Sequence, residues 1–146
     1  MDPDSFVKIL IAILLVLLNG FFVAAEFSIV KVRYSQIQIK AAEGNKMAKQ
    51  AELIIKNLDA YLSATQLGIT LASLALGWVG ESALEHVFHS IFSYINLEVT
   101  PSVLSTISVV FSFSIITIMH IVFGELVPKS IAIRKSEPTT LFISTP

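Results

Sequence analysis

Three apolar runs, each long enough to enter a bilayer, decide what this chain can be. The first covers residues 6–30 and is interrupted only by Lys8, Asn19, Gly20 and Glu26. At ~1.5 Å per helical residue it crosses a ~30 Å hydrocarbon core with room for tilt. The second, 62–79, is near the lower limit for a span. The third, 102–123, is entered through Thr100-Pro101 and closed by Pro128, which fits helix punctuation. A cleavable signal peptide is the rival reading of the first run. That would need a basic start and an apolar region of only ~7–15 residues, whereas this chain begins Met-Asp-Pro-Asp-Ser and its run is longer. Only 14% of residues are charged and 54% are hydrophobic, against about 25% charged in a soluble domain. A disordered chain, a nucleic-acid-binding module and an ordinary soluble enzyme are all excluded on those grounds. The net charge of −1 offers no global field to a polyanion. With no cysteine, thiolate chemistry, disulfides and Cys-based metal centres are excluded too.

Charge placement predicts orientation. Lys31, Arg33, Lys40, Lys46, Lys49 and Lys56 lie between the first two runs, and Lys129, Arg134 and Lys135 follow the third. Between runs two and three there is no Lys or Arg, only Glu81, Glu85, His86, His89 and Glu98. Basic residues favour the cytoplasmic side. The expectation is therefore an all-α membrane protein with three transmembrane helices and amphipathic juxtamembrane helices, N-terminus out and C-terminus in. Residues 34–61 have helix-forming composition around a turn at Gly44-Asn45, and Met47, Ala51, Ile54, Ile55 and Leu58 share one face of the later helix. Leu84, Val87, Phe88, Ile91, Phe92 and Ile95 form a second stripe, which predicts an interfacial helix on the outer side. The final TTLFISTP begins another apolar stretch, so the chain reads as part of something longer.

Ionisable groups inside a span cost about 2.5–3.5 kcal/mol at the helix centre on insertion scales, and they face a bundle interior or a watery cavity. Glu26 lies five residues before Lys31, and Glu125 four before Lys129. Both fall about one turn from the cytoplasmic boundary, where the second span starts with Ser63, Thr65, Gln66 and Thr70. Carboxylate, amide and hydroxyl oxygens at one depth make a candidate cation site of hard ligands, suited to Mg²⁺, Ca²⁺, Mn²⁺ or Na⁺ and less to copper or zinc. Gly124 and Pro128 flank Glu125, so the helix end can open there and expose carbonyls.

Structural readings stand beside these. Glu26 and Glu125 can snorkel towards Lys31 and Lys129, and Gln66 and Thr70 can form interhelical hydrogen bonds. Asn19-Gly20 reads as a packing kink. His120 precedes Glu125 by five residues, which are not neighbours on an α-helix, so it reads as a satisfied interior histidine. Ser105, Ser108, Ser112 and Ser114 are expected to bond back to their own helix. Trp78 reads as an interfacial anchor, and Glu85, His86 and His89 as a solvated face. HExxH, GxSxG, Walker and GxGxxG patterns are all absent, and no enzyme is expected.

Three segments carry a resemblance: 19–26 (NGFFVAAE) before a basic turn, 62–70 (LSATQLGIT), and 123–129 (FGELVPK). Together they resemble the transmembrane domain of the CorC/CNNM (cyclin M-like, hemolysin-C-like) family over nearly the whole chain. The resemblance implies that residues 1–146 are a CNNM-type transmembrane domain, without the cytosolic CBS domains of the full-length chain. It implies a multi-pass protein of the bacterial plasma membrane, a homodimer, that exports a divalent cation, magnesium first and cobalt second, with sodium coupling. Mg²⁺ is then the bound or transported ion and Na⁺ a second. The alternative is a membrane-anchored sensor that binds the ion without moving it. Glu26, Gly68, Glu125 and Pro128 match the family pattern. Val23 and Ile69 stand where it has Ser and Asn, leaving Gln66, Thr70 and Ser73 as substitute oxygens beside the Gly124 turn.

Overall fold

The computed structural model describes residues 3–95 and 100–144. Glu98 and the last two residues of TTLFISTP lie outside them. Among the described residues, three helices are long and apolar enough to cross a membrane. The first, α1 (Pro3–Lys31), runs the length of the bundle. Two short helices follow, α2 (Tyr34–Ala42) and α3 (Lys46–Lys56). The turn between them is the one the sequence predicts. Gly44 takes φ +93°, a conformation costly for residues with a Cβ. Asn45 then caps α3, its side chain accepting from Ala48 N–H at 3.1 Å.

The second span is longer than its apolar run. Helix α4 (Leu58–Tyr94) is continuous over 37 residues, about 55 Å by helical rise against a ~30 Å core. The stripe from Leu84 to Ile95 is therefore no separate interfacial helix. It continues α4, and its aromatic members turn to the third span, with Phe88 and Phe92 within 6 Å of the Phe111 ring. Polar residues end the hydrophobic run near Gly80 without ending the helix, because neither Pro nor a C-cap signal follows them.

The third span is capped as expected. Thr100 accepts from Val103 N–H at 3.3 Å, and Pro101 opens α5 (Pro101–Met119). Three of the four serines expected to bond back to their own helix do so, Ser108 to the Leu104 carbonyl, Ser112 to Ser108 and Ser114 to Val110. The span continues through a π-helical segment, His120–Leu126, into α6 (Val127–Arg134). Helix α7 (Ser136–Ile143) ends the described chain.

Two kinds of packing hold these elements. Inside the spans, small side chains let backbones approach. Ala12, Ala72, Ala83, Ser108 and Ser112 are buried among α1, α4 and α5, as expected where lipid is no less apolar than a side chain. At one end of the bundle, Ile37 and Ala41 of α2, Ala48 and Ala51 of α3, and Leu141 of α7 form a compact cluster. A second cluster joins Ala25 and Ile29 of α1 to Ile54 and Ile143. The buried face of α3 is Ala48, Ala51 and Ile54. Met47, expected on it, is 42% exposed, because α3 packs between α2 and α7 and not on a flat interface. The TTLFISTP stretch turns inward there too: Ser144 donates to the Met47 carbonyl at 3.0 Å. Every Lys and Arg except Lys8 belongs to this end.

Candidate polar site between the spans

The site begins with a missing hydrogen. Pro128 has no N–H, so the carbonyl four residues back, that of Gly124, has no α-helical donor. The helix widens: Val127 N–H reaches the Val122 carbonyl, an i→i−5 bond, and a π turn of this kind marks functional positions in many helices. The freed Gly124 carbonyl accepts from Asn19 Nδ2 of α1 at 3.0 Å. A side chain at Gly124 would crowd its neighbours, since a Cβ there would lie 3.1 Å from Asn19 Nδ2 and 3.1 Å from the His120 ring. Gly20 has the same role on the facing helix, a Cβ there lying 3.0 Å from the Pro128 ring and 3.2 Å from the Phe123 carbonyl. The Asn19-Gly20 pair is thus more than a packing kink. Gly20 admits the widened turn and Asn19 satisfies it.

Asn19 is fully buried, and its amide is used on both sides. Ser73 of α4 donates to Asn19 Oδ1 at 3.2 Å. His120 Nε2 lies 3.3 Å from Asn19 Nδ2 and 3.4 Å from Ser73 Oγ. One Asn19 N–H is committed to Gly124 and the Ser73 proton to Asn19. The second Asn19 N–H is then the donor facing Nε2, which places a lone pair there. Glu125 Oε1 lies 3.6 Å from the same nitrogen. Ser73, His120 and Glu125, with Thr117 and apolar neighbours, line a cavity of about 210 Å³. Three helices therefore meet in one layer through Asn19, Ser73 and the π turn.

A second polar contact lies seven residues away on both antiparallel helices, about 10 Å by helical rise. There Gln66 Nε2 donates to Glu26 Oε1 at 3.3 Å, in an exposed position. Between the two layers Gly68 receives the Phe22 ring, three of whose atoms would be 2.7 Å from any Cβ, and Val23 is buried. Thr70 is not drawn in. Its hydroxyl donates to the Gln66 carbonyl at 2.9 Å on its own helix. Of the residues singled out from sequence, Ser73, Gly124 and Glu125 come together, and Glu26 pairs with Gln66 apart from them. A hollow of about 320 Å³ lies beside the second pair, walled by residues such as Phe22, Gln50, Tyr61 and Thr65.

Asn19 and His120 carry more of this site than the sequence suggested. Residues five apart face away from each other on an α-helix, but in a π turn, bonded i→i+5, they stack. The signal that could have revealed this was present: a glycine four residues before a proline, at the end of an apolar helix. Among the described residues no three His, Asp or Glu side chains cluster, so a cation here would also need neutral oxygens.

Residues 10–146 match the family described as the cyclin M transmembrane N-terminal domain. The chain is 46% identical over 145 residues to the UPF0053 protein YhdT of Bacillus subtilis, covering 99% of this chain and 30% of that protein. It is 44% identical over 140 residues to the UPF0053 protein YrkA of the same organism, covering 96% of this chain and 32% of that one. The chain thus spans about a third of the length of these curated relatives. Three membrane-crossing helices, a π turn built on the FGELVPK segment and a family match over nearly the whole length agree: the chain belongs to the cyclin M transmembrane domain family.

Proposed function

We propose that this domain carries a divalent cation out of the cell, with Mg²⁺ the first ion to test and Na⁺ as the counter-ion. The observation that carries the reading is the Gly124 carbonyl, released by Pro128 and held by a buried amide in the same layer as the Glu125 carboxylate and the Ser73 hydroxyl. Hard oxygen donors of mixed charge, in contact with a cavity, suit a hydrated cation that binds and leaves. The Glu26–Gln66 layer, beside the larger hollow, is the approach from the inner face. The basic end of the bundle is cytoplasmic, which puts the N-terminus out and the C-terminus in. The remaining two-thirds of the full-length protein carries cytosolic CBS domains, and the protein works as a homodimer in the bacterial plasma membrane. Its activity is transport, not catalysis.

The second reading is an ion sensor that binds without transport. Its support is Val23, buried between the two polar layers, which interrupts an oxygen-lined path. Flux separates the two. Full-length protein in liposomes enclosing a Mg²⁺-sensitive dye should pass the ion, and Glu125→Gln should abolish the signal. Ion binding without flux would replace the transporter with the sensor. Binding that survives both Glu26→Gln and Glu125→Gln would discard both readings.

A further inference from the structure

We propose that an apolar groove between α1, the third span and α7 holds the hydrocarbon chains of an anionic phospholipid, with the phosphate at Lys135. The groove has a volume of about 590 Å³. Leu17 and Ala24 of α1, Phe123 of the π turn, Ile131 of α6 and Phe142 of α7 line it, and Lys135 is its one charged residue. It exists because α6 stops at Lys135, whose φ of −127° and ψ of 57° turn the chain. Ile143 then packs on Ala25 and Ile29 of α1, and a notch is left under the bend.

Depth and width select the occupant. The first and third spans run in the same direction, and Gly20 of one meets Pro128 of the other. Leu17 is three residues before Gly20 and Lys135 seven after Pro128, so the groove runs about 15 Å by helical rise. That is half of a ~30 Å hydrocarbon core, the depth of one leaflet. Over that length its volume corresponds to a cross-section of about 40 Å², whereas a helix ~10 Å across needs about 80 Å². A helix of a second copy is too wide for it, and lipid chains are not. Charge follows the same axis. Lys135 stands at the surface end of the groove. Glu137, the carboxylate nearest to it in sequence, is taken by Lys40, and among the described residues no carboxylate pairs with Lys135. A basic side chain at the surface end of an apolar groove between spans is the arrangement that recognises an anionic headgroup. The inner wall, Phe123 and Pro128, is the far side of the π turn, so the lipid braces that turn.

The test is quenching of a groove tryptophan by brominated lipid, on the full-length protein in phosphatidylcholine nanodiscs. Phe142→Trp is made beside Trp78→Phe, since Trp78 is the one tryptophan of this domain, and the Trp78→Phe protein alone supplies the background. Phosphatidylglycerol brominated on its acyl chains should reach half-maximal quenching at about one-fifth of the mole fraction that brominated phosphatidylcholine needs, the scale of one basic side chain meeting an anionic headgroup. Lys135→Gln should bring the two lipids to parity. Lys49→Gln, an equal loss of charge on α3 outside the groove, should leave the preference within about twofold of its starting value. Equal quenching by the two lipids with Lys135 in place overturns the proposal. Parity in Lys49→Gln overturns it too, since the preference then belongs to the diffuse charge of the basic end. Quenching by neither lipid places protein in the groove, from a second copy or the rest of the full-length chain, and also overturns it. The assay contains no divalent cation, so its outcome is independent of the cation reading. The comparison of the two lipids with Lys135 in place decides the matter even where Lys135→Gln does not fold.

Discussion

The two polar layers between α1 and α4 are about 10 Å apart and built in opposite ways. One is closed: Asn19 is fully buried, its amide spans to α4 and to the π turn, and its partners satisfy one another. The other is open, a single exposed contact between Gln66 and Glu26. Sequence reasoning treated the carboxylates as the anchors, since charge in a span is costly. The structure makes the neutral amide the anchor of the closed layer. A buried amide must find partners or lose several hydrogen bonds at once, so it fixes the helices, and Glu125, half exposed, is positioned by what the amide fixes.

The strongest way to break the contrast is Asn19→Leu. The buried Gly124 carbonyl would lose its side-chain partner, at about 1–3 kcal/mol for a buried group left unsatisfied, and the partly buried Ser73 hydroxyl would keep only its contact with His120. Thermal unfolding in detergent should shift downward by more than for any other single change in either layer. An unchanged midpoint would mean that the π turn stands without its cap, and the closed layer would be no more constrained than the open one.

Next in size is Gly68→Ala, between the layers. The new Cβ would overlap the Phe22 ring, and overpacking of this kind costs about 1–3 kcal/mol. Phe22→Leu in the same chain should recover much of the loss. Gly77→Ala on the same helix is the control. Its Cβ meets nothing within 4 Å, and alanine favours a helix over glycine by about 1 kcal/mol. A midpoint at Gly68→Ala that is unchanged or raised, as expected for Gly77→Ala, would show that the Phe22 contact does not set the spacing of the layers.

Much of this architecture is legible without coordinates, and what is missed shares one cause. The three spans, the Gly44-Asn45 turn, the Thr100-Pro101 start and the serine back-bonds all follow from local rules: apolar length, φ > 0, capping and short-range hydrogen bonds. The misreadings needed a partner or a non-α geometry. The α3 face was assigned Met47 because α7, which covers the other side, is 90 residues away. The outer stripe looked like a surface helix because Phe111 could not be seen opposite it. His120 reads as a satisfied interior histidine and faces Asn19 and Ser73 as such, but α-helical spacing hides its approach to Glu125, which only the wider turn announced by Pro128 and Gly124 allows. Asn19 was a lone amide in an apolar run, and nothing local names its acceptor.

The open layer should tolerate what the closed layer cannot. Gln66→Leu removes an exposed hydrogen bond to Glu26 and strands no buried group. Stability should stay within about 0.5 kcal/mol, as for surface changes away from special features, when measured beside Asn19→Leu in the same detergent. A loss comparable to that of Asn19→Leu would place a hidden partner on the Glu26 carboxylate and erase the distinction between the layers.

The smallest effect belongs to Thr70→Val. Its hydroxyl returns to the Gln66 carbonyl of its own helix and is exposed, so it ties neither layer to another helix. Valine keeps the shape and removes only a bond of a kind that slightly weakens helices. Unfolding midpoint and Mg²⁺ affinity should both match the unaltered protein. Weakened Mg²⁺ binding at an unchanged midpoint would mean that Thr70 swings away from Gln66 to meet the ion, joining the two layers into one path. That would shift weight towards transport and away from the sensor, since an ion passing Val23 needs an oxygen on the facing helix.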